Sequence, residues 1–321
     1  MTHDLSPRSA LDYIRSGQST FFRLPSADFD RAGAEAYRGA RAVLLGVPWD
    51  GGTTYQPGAR LGPYHLRRVS ALVQGHHPTH HLDVFRALPT VDGGNVVTPP
   101  FDAALMRTAV EAAVDDVAAT EAVPALAGGD HSITLPALRA LARRHGPLAV
   151  VHVDAHLDVS GPEVWGEAHH HGTPFRHALE EGLVDEGQLH QVGVRATWGG
   201  ADDDAILRRA RATRVTPDQL ADLGARAVGE TIRARVGTRP TYLSIDVDAL
   251  DPAFAPGTGT PVPGGLSTRE LLAFVRALAG VRLVGLDVVE VCPALDHADV
   301  TAHVGAALLF EGLALAAWLR R

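Results

Sequence analysis

Three stretches of this chain each run a short apolar segment into potential metal ligands: Gly128-Gly129-Asp130-His131-Ser132, Asp154-Ala155-His156-Leu157-Asp158 and Ser244-Ile245-Asp246-Val247-Asp248. Side chains two apart on an extended strand share a face, so Asp154, His156 and Asp158 project together, as do Asp246 and Asp248. The runs leading into them, 123–126, 148–153 and 242–245, are continuously apolar, as strands are when a parallel sheet is covered on both faces. Ligands of such open sheets bind beyond the carboxyl ends of the strands, where these acids fall. The pattern restricts the chain to an α/β fold that delivers several carboxylates to one sheet edge.

The remaining sequence supports that architecture. Strand-like runs at 42–46, 88–91, 123–126, 148–153, 189–194, near 214, 241–245 and 282–288 alternate with helical patterns at 103–119, 134–144, 175–181, 203–212, 217–236, 268–278 and 302–319. Such alternation means a mainly parallel sheet with helices on both faces. A length of 321 residues with 45% hydrophobic side chains allows one large domain. No linker, low-complexity tract or fixed-period repeat divides residues 41–321, so they are expected to form a single catalytic domain. Residues 1–40 read as an irregular lead-in lying on the surface or on a neighbour.

Carboxylates converging from three strands repel one another unless cations separate them. Four Asp and two His can hold two divalent ions, with some carboxylates bridging. A carboxylate-rich set with imidazole suits Mn²⁺, while Ni²⁺, Fe²⁺ and Co²⁺ stay open, and the lack of Cys ligands argues against a closed structural zinc site. Two such ions can share a water and lower its pKa towards about 7, which points to hydrolysis. One Asp-x-His-x-Asp alone would pass for a surface cluster; three clusters on three strand ends do not.

At these residues the chain resembles the ureohydrolase family, which includes the arginases and agmatinases. The likeness runs from Leu44-Leu45-Gly46-Val47-Pro48 and Gly58-Ala59-Arg60-Leu61-Gly62-Pro63, through the long stretch from Asp246 to Pro261, to Glu290-Val291-Cys292-Pro293. It implies the arginase/deacetylase fold, a three-layer α/β/α sandwich around an eight-stranded sheet. By this resemblance His131, Asp154, His156, Asp158, Asp246 and Asp248 bind a dinuclear manganese centre. Asp154 and Asp246 would bridge the ions, with His131 and Asp158 on one and His156 and Asp248 on the other. His171, in His171-Gly172-Thr173-Pro174-Phe175, looks like the family's catalytic-loop histidine, and Glu290 like its guanidinium-binding glutamate. A carboxylate can clamp the planar, permanently charged guanidinium in a bidentate way. A histidine can pass a proton to the departing amine. The family also implies a homotrimer or homohexamer.

The resemblance is strongest to agmatinase and guanidinobutyrase, so agmatine, giving putrescine and urea, is the first substrate expected. Guanidinobutyrate, guanidinopropionate, a natural-product intermediate or a small guanidine are the alternatives. Readers of the substrate's far end are expected in loops 159–170, 197–204 and 72–85, with the acids Glu163 and Glu167 available to an amine and Trp165 and Trp198 to an aliphatic chain. Two other classes remain: a one-zinc deacetylase, which the full ligand set disfavours, and a non-catalytic subunit of a mixed oligomer. The run Gly75-His76-His77-Pro78-Thr79-His80-His81 reads as a polar loop near the site mouth, a subunit contact or a secondary metal site.

A net charge of −8 without basic clusters leaves no footprint for nucleic acid. Cys292 is the sole cysteine, which excludes an internal disulfide and fits a reducing compartment; packing is its expected role. The first twenty residues lack the apolar core of a signal peptide, and no apolar run suffices for a membrane span. A cytoplasmic enzyme is therefore expected.

Overall fold

A computed structural model describes residues 6, 7, 9, 19–198 and 200–320. Its centre is an eight-stranded sheet in the order β4-β1-β5-β10-β9-β6-β7-β8, every pairing parallel. The strands are β1 (Ala42–Gly46), β4 (Thr90–Asn95), β5 (Val123–Ala127), β6 (Leu148–Val153), β7 (Val184–Val192), β8 (Thr213–Val215), β9 (Pro240–Asp246) and β10 (Arg282–Val289). A small antiparallel pair, β2 (His76–His77) and β3 (Leu82–Asp83), lies apart from it.

Alternate side chains of each central strand enter two separate apolar layers, the period-two consequence of the pleat. On β6, Ala149, Val151 and Val153 join Leu66, Phe274 and Leu313, contributed by helices Gly62–Ser70, Thr268–Ala277 and Val300–Trp318. Leu148 and Val150 face the other way, onto Val110, Leu138 and Phe175 of helices Ala103–Ala119, Thr134–His145 and Pro174–Glu180. The result is the expected three-layer α/β/α sandwich. Helix Val300–Trp318 is long and apolar enough to cross a membrane, yet it is almost wholly buried here as a core helix.

Several expected elements sit differently. The helix read at 217–236 is two, Pro217–Leu223 and Ala225–Val236, because Gly224 at φ 85° breaks the backbone path that the apolar period alone would continue. The strand read at 88–91 is Thr90–Asn95, since Leu88 still caps the short helix Val84–Ala87. Helix Gly62–Ser70, which opens on Pro63, was not anticipated.

Of the lead-in, residues 1–5, 8 and 10–18 lie outside the described residues. Its later part is no surface strap. Phe21, Phe22 and Leu24 are fully buried, Phe22 packs against Phe85 and Phe310, and the Phe21 and Phe22 amides donate to Asp92 and Ser70 at 3.0 Å. Burying three large apolar side chains outweighs the irregular composition around them.

The histidine-rich run forms the β2–β3 pair beside helix Val300–Trp318, and none of residues 72–85 lines the site cleft. His77 is buried. Its Nδ1 accepts the His80 amide at 3.0 Å, which leaves the proton on Nε2, and Nε2 donates to Glu311 at 2.9 Å. Glu311 also accepts from Arg276 Nε at 2.8 Å. His77, His80 and Glu311 lie close enough to share a cation, but with its proton on Nε2 donated to Glu311, His77 offers no lone pair to one, and the run lies away from the site mouth.

Candidate metal centre and substrate cleft

The four central strands β5, β10, β9 and β6 end level with one another: Val153 pairs with Ile245, Val289 with Asp246 and Val288 with Ala127. The residues following those ends therefore meet. All six candidate ligands, together with Glu290 and His171, are brought to one place, and the four aspartates are buried.

They divide into two groups. His131 Nδ1 lies 3.0 Å from Asp154 Oδ2, 2.9 Å from Asp158 Oδ2 and 3.4 Å from Asp246 Oδ2. His156 Nδ1 lies 3.2 Å from Asp154 Oδ1 and 3.0 Å from Asp248 Oδ2. Asp154 thus divides its two oxygens between the groups, the arrangement a bridging carboxylate needs.

Hydrogen bonding tests whether cations belong there. The Ser244 hydroxyl donates to Asp287 Oδ1 at 2.7 Å and is 2.8 Å from His131 Nε2, so it accepts from that nitrogen. Asp287 is held in turn by Thr134 and Tyr242 hydroxyls at 2.6 and 2.7 Å on its other oxygen. Neutral His131 therefore carries its proton on Nε2 and aims the bare Nδ1 lone pair at three carboxylates. An acceptor facing three acceptors is stable only with a cation between them, or with an extra proton on Nδ1. Burial disfavours that proton, yet contact with Asp154, Asp158 and Asp246 raises the His131 pKa well above its ordinary value. Asp246 is raised strongly by burial and by Asp248 and Asp154. The site fits divalent metal in donor type and in charge.

His152 completes the centre without joining it as a ligand. Gln191 Nε2 donates to His152 Nδ1 at 3.0 Å, so His152 Nε2 donates to Asp154 Oδ2 at 2.8 Å and orients it. His152, Ser244 and Asp287 were not singled out from the sequence. A signal existed: His152 and Ser244 lie two residues before Asp154 and Asp246, on the same strand faces. Arg195, just beyond β7, was missed too; its guanidinium donates to the carbonyls of Asp248, Ala249 and Leu250 at 2.9, 3.1 and 3.2 Å and so pins the chain leaving β9.

Glu290 follows β10 in the left-handed region, at φ 64°, and Asp158 sits there as well, at φ 52°. Glu290 Oε1 accepts the His131 amide at 2.9 Å and lies 2.8 Å from His171 Nδ1. Its buried Oε2 has no hydrogen-bond partner among the described residues. His171 Nε2 accepts the Thr54 amide at 3.2 Å and meets the Thr54 hydroxyl at 2.8 Å. Burial opposes a charge on His171, but Glu290 beside it pushes the pKa up to about 9. Asp130, behind them, is pushed up to about 6 by burial and by Glu290, while it accepts the Gly52 amide at 2.7 Å. Neither Thr54 nor Asp130 carries a sequence signal beyond its place in a loop.

Outside this machinery opens a cleft of about 360 Å³ whose lining includes His156, Asp158, Asp246, His171 and Thr260. Ser160, Val164, Trp165, Thr197 and Trp198 form its outer wall, as expected for loops 159–170 and 197–204. Neither acid of the first loop lines the cleft, contrary to expectation. Glu163 folds back on Gly161, and Glu167 accepts the His169 amide at 3.0 Å. Short loops rich in backbone donors satisfy such carboxylates locally before a ligand can. Cys292 is buried, its Sγ 3.6 Å from the Pro57 carbonyl, in keeping with a packing role.

Comparison with known proteins agrees with this geometry. Residues 40–314 match the Arginase family. The chain is 42% identical to proclavaminate amidinohydrolase of Streptomyces clavuligerus, over 91% of this chain and 92% of that protein, and the solved structure of that enzyme superposes with a TM-score of 0.86, covering 94% of this chain and 97% of that one at 41% identity. It is 42% identical to guanidinopropionase of Pseudomonas aeruginosa, over 94% and 92% of the two chains. The crystal structure of a hypothetical agmatinase from Burkholderia thailandensis gives a TM-score of 0.84 at 38% identity, covering 94% and 91%.

Proposed function

Because this chain belongs to the arginase family and is a hydrolase acting on guanidino carbon–nitrogen bonds, we propose that it holds two manganese ions at the sheet edge and splits a guanidino compound into urea and an amine. The observation that carries this reading is the division of labour on Glu290: one oxygen is fixed by His131 and His171, and the other, buried, has no hydrogen-bond partner among the described residues. A guanidinium N–H pair is the natural donor to that free oxygen.

The ions would be held by His131, Asp154, Asp158 and Asp246 on one side and by Asp154, His156, Asp246 and Asp248 on the other. Bound there, they supply Lewis acidity and a water of lowered pKa. The protein's own groups do the rest. Glu290 Oε2 orients the guanidinium so that its carbon faces the cluster, which converts an encounter into a fixed approach. His171 keeps Nδ1 on Glu290 and exchanges a proton at Nε2, beside the Thr54 hydroxyl, with the departing amine. Ser244 and His152 hold His131 and Asp154 in the required tautomer and orientation.

Agmatine remains the first substrate to test, with support from the agmatinase likeness and none from the charge of the cleft wall. Guanidinobutyrate and guanidinopropionate follow. A homotrimer or homohexamer in the cytoplasm is the setting we propose. The decisive experiment is urea release from a guanidine panel by the manganese-loaded protein, repeated with nickel. Release that disappears in Glu290→Gln, with metal content unchanged, supports the reading. No release from any compound by fully metallated protein overturns it in favour of a non-catalytic subunit.

A further inference from the structure

The charges of the cleft are all at one end. Its carboxylates belong to the ligand cluster, and its remaining ionisable lining groups are His156, His170 and His171. His170 Nδ1 accepts the Gly172 amide at 3.1 Å, which is the neutral tautomer. Among the described residues, the outer wall offers two indoles, an isopropyl group and two hydroxyls, with neither an acid for an ammonium nor a base for a carboxylate. Glu163 and Glu167, the nearest loop acids in sequence, do not line the cleft, and Glu167 accepts the His169 amide.

From this distribution we infer that the far end of the natural substrate is uncharged: a guanidine bearing a neutral, largely aliphatic tail that lies along Trp165 and Trp198. The inference rests on the guanidino-hydrolase reading and names the substrate class within it. A charged tail finds no partner at this half-open wall, whereas methylenes gain by leaving water for indole. The rival is an ammonium stacked on an indole face. Trp198 already carries the Arg214 guanidinium 5.0 Å from its ring centre, and that positive charge opposes a second cation on the same ring. Arg214 is no ready partner for a carboxylate either, because Asp204 lies 3.6 Å from it.

The test compares kcat/KM for 1-butylguanidine, agmatine, 4-guanidinobutyrate and guanidine on the metallated enzyme. These share the reacting group, and the first three also carry a four-carbon chain, the last carbon of which is the carboxylate in 4-guanidinobutyrate. We expect 1-butylguanidine to exceed both charged-tail compounds by roughly tenfold or more. Trp198→Ala and Trp165→Ala should raise KM for 1-butylguanidine by a similar factor. A charged-tail compound as the best substrate overturns the inference while leaving the hydrolase reading intact. Silence from all four, with both metals bound, overturns the hydrolase reading instead. In that event thermal-shift ranking of the same compounds at equal concentration still judges the tail: agmatine or guanidinobutyrate ranking above 1-butylguanidine overturns it.

Discussion

At the carboxyl edge of the sheet, two histidines face four buried aspartates; beside helix Val300–Trp318, His77 faces Glu311, which also holds Arg276. Both places bury imidazole against carboxylate, and both would pass for metal sites by residue type. Their charge balance separates them. Glu311 has two cationic or donor partners and needs nothing further, whereas the aspartates outnumber their donors and present His131 with acceptors on every side. Tautomers tell the same story: His80 fixes the proton of His77 on the nitrogen that would bind metal, and Ser244 fixes that of His131 on the nitrogen that would not. Unbalanced buried acid together with a bare ring nitrogen, more than the presence of ligand-type residues, marks the cation site.

The contrast can be broken most decisively at Asp154. Asp154→Asn should lower bound metal below the wild-type content by elemental analysis and reduce urea release by roughly a thousandfold or more. Glu290→Gln should keep the metal and still cost roughly a hundredfold to a thousandfold in turnover, since it removes orientation and a negative charge but no ligand. In the other cluster, Glu311→Gln should leave metal content and turnover near wild type while destabilising the fold by about 3–5 kcal/mol, read by denaturant titration, because His77 and Arg276 lose a buried partner. Loss of metal in that variant would erase the distinction drawn here. Ser244→Ala should weaken metal affinity by roughly ten- to a hundredfold, measured by competition with a chelator.

A pH series gives the subtlest check. Burial alone would raise Glu311, but His77 and Arg276 bring its carboxyl below the ordinary value of 4.5. A depressed folded pKa contributes stability that is present above the unfolded value and lost as pH falls through the folded one. The melting-temperature gap between wild type and Glu311→Gln should therefore be constant above about pH 5 and narrow as pH drops further. A gap that is flat through the acid range would show that Glu311 does not act through its charge.

The sheet and the convergence of the candidate ligands were legible because their signals are local. An apolar run ending in Asp-x-His-x-Asp states both a strand and the direction of its side chains, and the long stretch after Asp246 carries a family likeness besides. Even the alternation of strands and helices survived, with boundaries displaced by a few residues. What escaped depends on partners distant in sequence. Asp287 is a plain acid until Tyr242, Thr134 and Ser244 converge on it. Phe21 and Phe22 lie in a segment whose Pro and Gly suggest a loop, and only the distant Phe85, Phe310, Ser70 and Asp92 make a core of it. Glu167 erred in the opposite sense: its charge is visible in the sequence, but its commitment to the His169 amide is not.

Glu290 and Asp158 both stand in the left-handed backbone region, where a side chain costs on the order of 1 kcal/mol and glycine does not. Glycine would relieve that strain, but at Glu290 it would also strip the buried His131 amide and His171 Nδ1 of their acceptor, a loss of about 1–3 kcal/mol for each donor left unpaired. The strain is thus held in place by the same contacts that shape the site, and any effort to harden this protein should leave both positions constant and look elsewhere for its gains.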